Sequence, residues 1–263
     1  MKYFFTTLAV NEPYFSKSVK FHQELHEKTE HAIFNITTTE KDLTTLIDHT
    51  GLTLENFKEK YPRIQITTIE SFNKIFTFPL DQDSHGFIFN LNLKALSIKA
   101  CVESDKQFDY LIFIDGDWHI GEEFSEDKIF LLFNNMETMQ IDFAFERPAK
   151  IGDYKSNNYQ DCFFMEKLND YKVTDHNLWD EAHVVNEQFL AFKNTWKLRV
   201  FAQKWEQMLW YTVANNIRNY PDGFEIGVAA LESKMTHNYY MFCVLTNCFY
   251  FYAKYTPTKY IKF

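Results

Sequence analysis

Asp115 and Asp117, two carboxylates one residue apart, are the side chains of this sequence best placed by type and spacing to do chemistry. They flank Gly116 at the end of Phe108-Asp-Tyr-Leu-Ile-Phe-Ile-Asp-Gly-Asp-Trp118, where the apolar run 111–114 stops. A buried strand ending in Asp-Gly-Asp delivers two hard oxygen donors to the carboxyl edge of a sheet, which is where open α/β sheets bind ligands. Such donors suit Mg²⁺ or Mn²⁺, which keep several waters and bind substrate phosphates. The run therefore predicts a metal–diphosphate site. The plainer alternative is that the aspartates only cap a loop before Glu122; against it, Asp115, Asp117 and the Glu122-Glu123 pair would repel one another without a cation.

Composition narrows the partners. With 27 basic and 36 acidic side chains, a formal charge of −9, the chain lacks the basic surface that nucleic-acid binding needs. Only 7 glycines are present, and neither G-x-G-x-x-G nor G-x-x-x-x-G-K-[ST] occurs, so no glycine loop cradles phosphates and a metal would have to neutralise them. Cys101, Cys162, Cys243 and Cys248 are scattered without C-x-x-C spacing, which reads as reduced, buried thiols of a cytoplasmic protein. Residues 3–10 are too short, too rich in threonine and too poor in small residues for a signal peptide and read as the first strand. Residues 239–253, broken by Thr246-Asn247, are too short and polar for a membrane span and fit a hairpin over 239–252. The tail 254–263 interleaves lysines with aromatics, a pattern that suits peripheral contact with an anionic membrane as well as a solvated terminus.

The elements that must position the carboxylates follow from periodicity. A strand over 3–10 is broken by Asn11-Glu-Pro13, and Pro13 opens a helix to about Lys28 carrying Phe15, Val19, Phe21 and Leu25. Strands are predicted over 31–37, 65–69 and 110–114, with helices over 43–60 and 90–104 between them. This β-α-β-α-β-α-β order predicts an α/β fold with a mostly parallel sheet and helices on its faces. Ser125-Glu-Asp127 caps a helix to about Met139, and strands are predicted over 141–146 and 183–192. Residues 149–182, with Tyr159 and Trp179, read as a long functional loop. A long helix over 195–215 and a shorter one over 224–235, after the Pro-Asp-Gly turn ending at Gly223, complete a single domain spanning 1–263.

The chain resembles glycosyltransferases of the GT-A fold. Three stretches carry the likeness: Leu8-Ala-Val-Asn-Glu-Pro13 between the first strand and helix; the helix with Lys94 and Lys99 leading into the Asp-x-Asp element; and Glu187-Gln-Phe-Leu-Ala-Phe-Lys-Asn194, a long helix, then Asp222-Gly-Phe-Glu225. The resemblance implies a Rossmann-like nucleotide-sugar-binding half (1–120) and a smaller acceptor half (121–263). It implies a Mn²⁺- or Mg²⁺-dependent transferase using a UDP- or GDP-sugar and a glycan or lipid-linked acceptor. By match, Asp117 is the metal ligand, and Asp115 contacts metal or ribose. Thr7, Ala9, Val10 and Asn11 line the nucleotide pocket, as Gly116 does, and residues 68–70 could help. Lys94 or Lys99 reaches a phosphate or sugar hydroxyl, Lys99 having the preferred spacing. His237 is the positional candidate for a third metal ligand, and His119 could assist. Glu225, then Asp222, then Glu187 are the candidate acid/base or sugar-binding carboxylates, with helix capping the alternative for the first two; retention and inversion both remain open. Two other readings stand beside this one: a phosphatase-like hydrolase with Asp115 as nucleophile, and a non-catalytic carbohydrate-binding protein.

Overall fold

The structure, a computed structural model, describes residues 1–72, 93–146, 181–183, 185–214, 222–238, 244–245, 248–251 and 259–260. Strands β1 (Tyr3–Leu8), β2 (Ala32–Thr38), β3 (Ile64–Thr68) and β4 (Tyr110–Ile114) alternate with helices α1 (Tyr14–Lys28), α2 (Glu40–Leu43), α3 (Leu46–Thr50), α4 (Leu54–Lys60), α5 (Ile69–Phe72) and α6 (Lys94–Val102). Then come β5 (Trp118–Ile120), α7 (Glu126–Thr138), β6 (Phe143–Glu146), β7 (Asn186–Lys193), α8 (Trp196–Ala214), α9 (Asp222–Glu232), β8 (His237–Asn238), β9 (Phe249–Phe251) and β10 (Lys259–Tyr260). Among the described residues the main sheet has the order β3-β2-β1-β4-β7-β6-β8. β1 to β4 are mutually parallel, β7 runs antiparallel to β4 and to β6, and β8 runs parallel to β6. The expected mixed α/β fold with a mostly parallel, helix-flanked sheet is what forms.

Alternation along the strands makes two cores. Tyr3, Phe5, Tyr110, Ile112 and Ile114 face α1 and α7, meeting Phe15, Val19, Leu25, Ile129 and Phe133. Phe4, Leu111, Phe113, Phe143 and Phe192 face the other way, onto Ala95 and Ile98 of α6 and Phe201 and Trp205 of α8. Because both faces are covered, β4 is an uninterrupted apolar run, as buried parallel strands are. α6 lies between the sheet and α8 and is buried nearly all round rather than along one stripe.

Over 43–60, where one helix was expected, the chain has the end of α2 and then two short helices, α3 and α4, with threonines at the breaks. Thr39 caps α2 by accepting from Asp42 N, while the Thr44 and Thr45 hydroxyls donate to the Lys41 and Asp42 carbonyls at its end. Gly51, at φ 69°, closes α3, and Thr53 caps α4 by accepting from Asn56 N. The hairpin expected over 239–252 does not pair with itself among the described residues. Phe249–Phe251 lies between Lys259–Tyr260 and Trp118–Ile120, a strand the sequence pattern does not reveal, in a second small sheet. Ser125 caps α7 as expected. Cys101 and Cys248 are free buried thiols, and burial pushes the Cys101 thiol up to about 12. Tyr159, Trp179, Cys162, Cys243, most of the 149–182 loop and most of the tail lie outside the described residues. No helix among them is long and apolar enough to cross a membrane.

His22, fully buried on α1 against Phe21 and Phe34, donates from Nδ1 to the Ser18 carbonyl at 2.8 Å. Burial lowers its pKa from 6.5 to about 4. Between those values the unfolded chain takes up a proton that the folded one refuses, so this contribution is complete above pH 6.5 and lost as pH falls toward 4. Urea unfolding at pH 7 and pH 5 should show a drop that is smaller by about 2 kcal/mol in His22→Gln than in the unaltered protein.

Candidate active site

The sheet order creates a switch point. From β1 the chain moves outward through α1 to β2 and β3, then returns by α6 to β4 on β1's other side, so the β1 and β4 ends part at the position where open α/β sheets form a crevice. Asn11 to Tyr14 leave β1 there, and Asp115-Gly116-Asp117 leaves β4 there. The acidic triplet is also a corner, since β4 belongs to the main sheet and β5, starting at Trp118, to the small one.

The β1 side is tightly held. Ala9 N donates to Thr37 O at 2.8 Å, and Thr38 Oγ1 donates to Ala9 O at 2.6 Å. Asn11, at φ 65°, donates its N–H to Asp42 Oδ2 at 3.0 Å, and its carbonyl accepts from Phe15 N at the start of α1. Asp42 is itself held by Thr39 Oγ1 at 2.6 Å. Thr7, Ala9 and Val10, expected to line a nucleotide pocket, have buried side chains. Asn11 is the member of that group with exposed surface.

On the β4 side, Asp115 N donates to Gln188 O of β7 at 3.0 Å. Lys94, the first residue of α6 and almost wholly buried, places Nζ 3.0 Å from Asp115 Oδ1. Lys99, preferred from spacing, lies five residues along the helix and pairs with Glu206 of α8 at 2.5 Å, so it faces the α6–α8 seam instead. Burial raises the Asp117 pKa, opposed by its own backbone hydrogen bond and by Lys17, Lys94 and His119. Burial also raises the Tyr14 pKa, and the charges of Asp117 and Asp115 add to that. Gly116 is a packing residue more than a ligand contact. A Cβ there would run into Ser18 Oγ and stand 3.3 Å from Leu8 O and 3.5 Å from Thr7 Oγ1.

The late carboxylates separate. Ile114 pairs with Phe189, so β7 carries the Glu187 backbone alongside the triplet. Val185 N donates to Gly223 O at 3.0 Å, which anchors the start of α9, and with it Asp222, beside the entry to β7. Glu225, first choice from sequence, lies one turn deeper. It is fully buried, and Trp205 Nε1 of α8 donates to its Oε2 at 3.2 Å, so its carboxylate is built into the α8–α9 packing. His237 does not reach the triplet. The register Leu111–Phe192–Phe143–His237 puts it level with Leu111, three strands away. That is about 14 Å across the sheet and about 13 Å below Asp115 along it. There His237 stacks edge-on against His183, with ring centroids 4.6 Å apart. Glu123, suspected of adding to the repulsion, pairs with Lys128 at 2.9 Å, and Trp118 is core.

Among the described residues no cluster of three or more His, Cys, Asp or Glu side chains is disposed to hold a metal. The pair Asp115 and Asp117 nonetheless fits Mg²⁺ or Mn²⁺. Such ions need only one or two carboxylates when substrate phosphates and water complete the shell, and Asp117 is a desolvated anion that a cation would stabilise. Tyr14, Lys17 and Ser18 are absent from the sequence-level candidates. Their i, i+3, i+4 spacing, one helix face directly after the first strand, is the signal that would have found them.

No protein-family model matches the chain, and no curated protein matches it in sequence. Among solved structures, mouse xyloside xylosyltransferase 1 in its apo form aligns over 90% of this chain and 84% of its own, with a TM-score of 0.45 and 8% identity. The galactosyltransferase LgtC, in complex with donor and acceptor sugar analogues, aligns over 91% of this chain and 73% of its own, with a TM-score of 0.44 and 12% identity.

Replacing the buried cation should expose its importance. Lys94→Met removes the ammonium from Asp115 and should lower stability by about 3 kcal/mol, whereas Lys99→Met, nearer solvent, should lower it by about 1 kcal/mol. Equilibrium denaturation at pH 7 checks both.

Proposed function

We propose that this protein is a GT-A-type glycosyltransferase that moves a sugar from a UDP- or GDP-sugar to a glycan or lipid-linked acceptor. The observation that carries the reading is an Asp-x-Asp at the end of a doubly buried strand, at the switch point of the sheet, with the desolvated Lys94 on its first carboxylate. Residues 1–120 act as the nucleotide half and 121–263 as the acceptor half, in the cytoplasm, with the tail 254–263 a possible contact to the membrane that carries a lipid-linked acceptor.

Asp117, with Asp115 directly or through water, would hold Mn²⁺ or Mg²⁺. When bound, that ion supplies Lewis-acid and charge stabilisation to a departing diphosphate. Lys94 fixes the orientation of Asp115 and adds positive charge behind it. Tyr14 offers a ring to stack on the base and a phenol to donate to a phosphate or ribose oxygen. In the transfer, an acceptor hydroxyl oxygen forms a bond to the anomeric carbon. The anomeric C–O bond to the diphosphate breaks, its electron pair leaving with the nucleotide. The hydroxyl proton passes to a carboxylate, and Glu187 and Asp222 are the candidates whose backbones stand on the right edge.

The experiment is metal-dependent turnover across a panel of UDP- and GDP-sugars, by hydrolysis and by transfer. Turnover with at least one donor is expected, falling about 100-fold or more in Asp117→Asn with the fold intact by circular dichroism. A folded protein that neither binds nor turns over any nucleotide sugar would sink the proposal. Capture of an acyl-phosphate mimic such as BeF₃⁻ on Asp115 would establish the hydrolase instead.

A further inference from the structure

We infer that Ser18 of α1 is a positioning residue for Asp117, acting through the carbonyl of Gly116. The inference rests on the reading of Asp115 and Asp117 as a metal–diphosphate site and adds a residue to it. Ser18 is fully buried, and its Oγ donates to Gly116 O at 3.1 Å. Buried helical serines usually return the hydroxyl proton to the carbonyl four residues earlier. Ser233 of this chain does so, donating to Ala229 O at 2.6 Å. Ser18 sends its proton out of the helix, to a residue 98 positions away in sequence.

That bond falls where it controls most. The Gly116 carbonyl and the Asp117 N–H belong to one rigid peptide plane. Holding the carbonyl therefore sets the direction from which Asp117 projects. The plane needs an external hold, because Gly116 has no side chain to fix it. On its near side the chain is pinned by Asp115 N to Gln188 O, and on its far side by the pairing of β5 with β9. Ser18 supplies the hold between. The helix comes so close that a Cβ on Gly116 would collide with Ser18 Oγ, so glycine at 116 and serine at 18 are matched. Behind Ser18, the neutral His22 ring donates to the Ser18 carbonyl and steadies that turn of α1. Outer-shell groups of this kind typically change metal affinity about 10- to 100-fold.

The test compares Ser18→Ala, Gly116→Ala, the double variant and Ser233→Ala, the last a loss of a buried serine whose bond is local. Mn²⁺ affinity with UDP or GDP present, by calorimetry, should weaken about 10- to 100-fold in Ser18→Ala and stay unchanged in Ser233→Ala. Gly116→Ala should be impaired, and adding Ser18→Ala should recover stability by removing the colliding oxygen, a sign that independent structural losses would not give. Amide hydrogen exchange adds a readout that needs no ligand. In Ser18→Ala, exchange should rise over residues 115–118 while α1 keeps its protection. Unchanged Mn²⁺–nucleotide affinity in Ser18→Ala overturns the inference, as does exchange that rises along α1 as much as at the triplet. If the unaltered protein binds neither Mn²⁺–UDP nor Mn²⁺–GDP, the functional reading fails, and the exchange pattern and the double variant still decide whether Ser18 holds the corner.

Discussion

Burial of β4 on both faces is the constraint from which the candidate site follows. Tyr110, Ile112 and Ile114 are enclosed by α1 and α7, and Leu111 and Phe113 by α6 and α8, so the strand carries no charge until it leaves the sheet. Asp115 is the first residue past that limit. Its carboxylate emerges where the β1 and β4 connections diverge, and the same packing that buries the strand delivers Lys94 from the start of α6. The hydrophobic core thus sets where charge appears as well as how stable the fold is.

The two carboxylates of the triplet meet different fields, and the difference assigns their work. Asp115 is neutralised at 3.0 Å by a lysine that is almost wholly buried. In a medium of low dielectric that pair fixes geometry, since both partners would be costly to leave alone. Asp117 is desolvated, and its raised pKa shows that Lys17, Lys94 and His119 do not fully compensate.

What was legible in the sequence follows the range of the interactions. The strand 110–114 and the Ser125 cap are written in local pattern, and the structure forms Tyr110–Ile114 and the Ser125 cap as read. The helix over 43–60 failed because its apolar period was sound while Thr44, Thr45, Gly51 and Thr53 stop and restart it locally, a signal present but outweighed in the reading. Strand Trp118–Ile120 was invisible because its partner, Phe249–Phe251, lies far along the chain. Where the candidate site residues stand depends on the same long-range contacts. Choosing between Lys94 and Lys99 requires knowing that α8 covers one side of α6, and placing His237 requires a register that crosses three strands. Glu225 resembled a helix-start carboxylate, yet α9 begins three residues earlier, which turns that position inward onto Trp205.

The first helix links these points. Its first turn starts from an Asn11 held in the left-handed region by Asp42, which sets the helix axis relative to the crevice. From that axis Tyr14, Lys17 and Ser18 fall on one helix face at a spacing of three and four residues, and Ser18 of that face meets the triplet at the Gly116 carbonyl. Asp42 in turn is fixed by Thr39, at the start of the α2 turn, just ahead of the helix expected over 43–60. Thr39 is therefore part of the route by which α1 is aimed. Without the Thr39–Asp42 turn, the Asn11 N–H would lose its acceptor and the first turn of α1 the hold from which it starts.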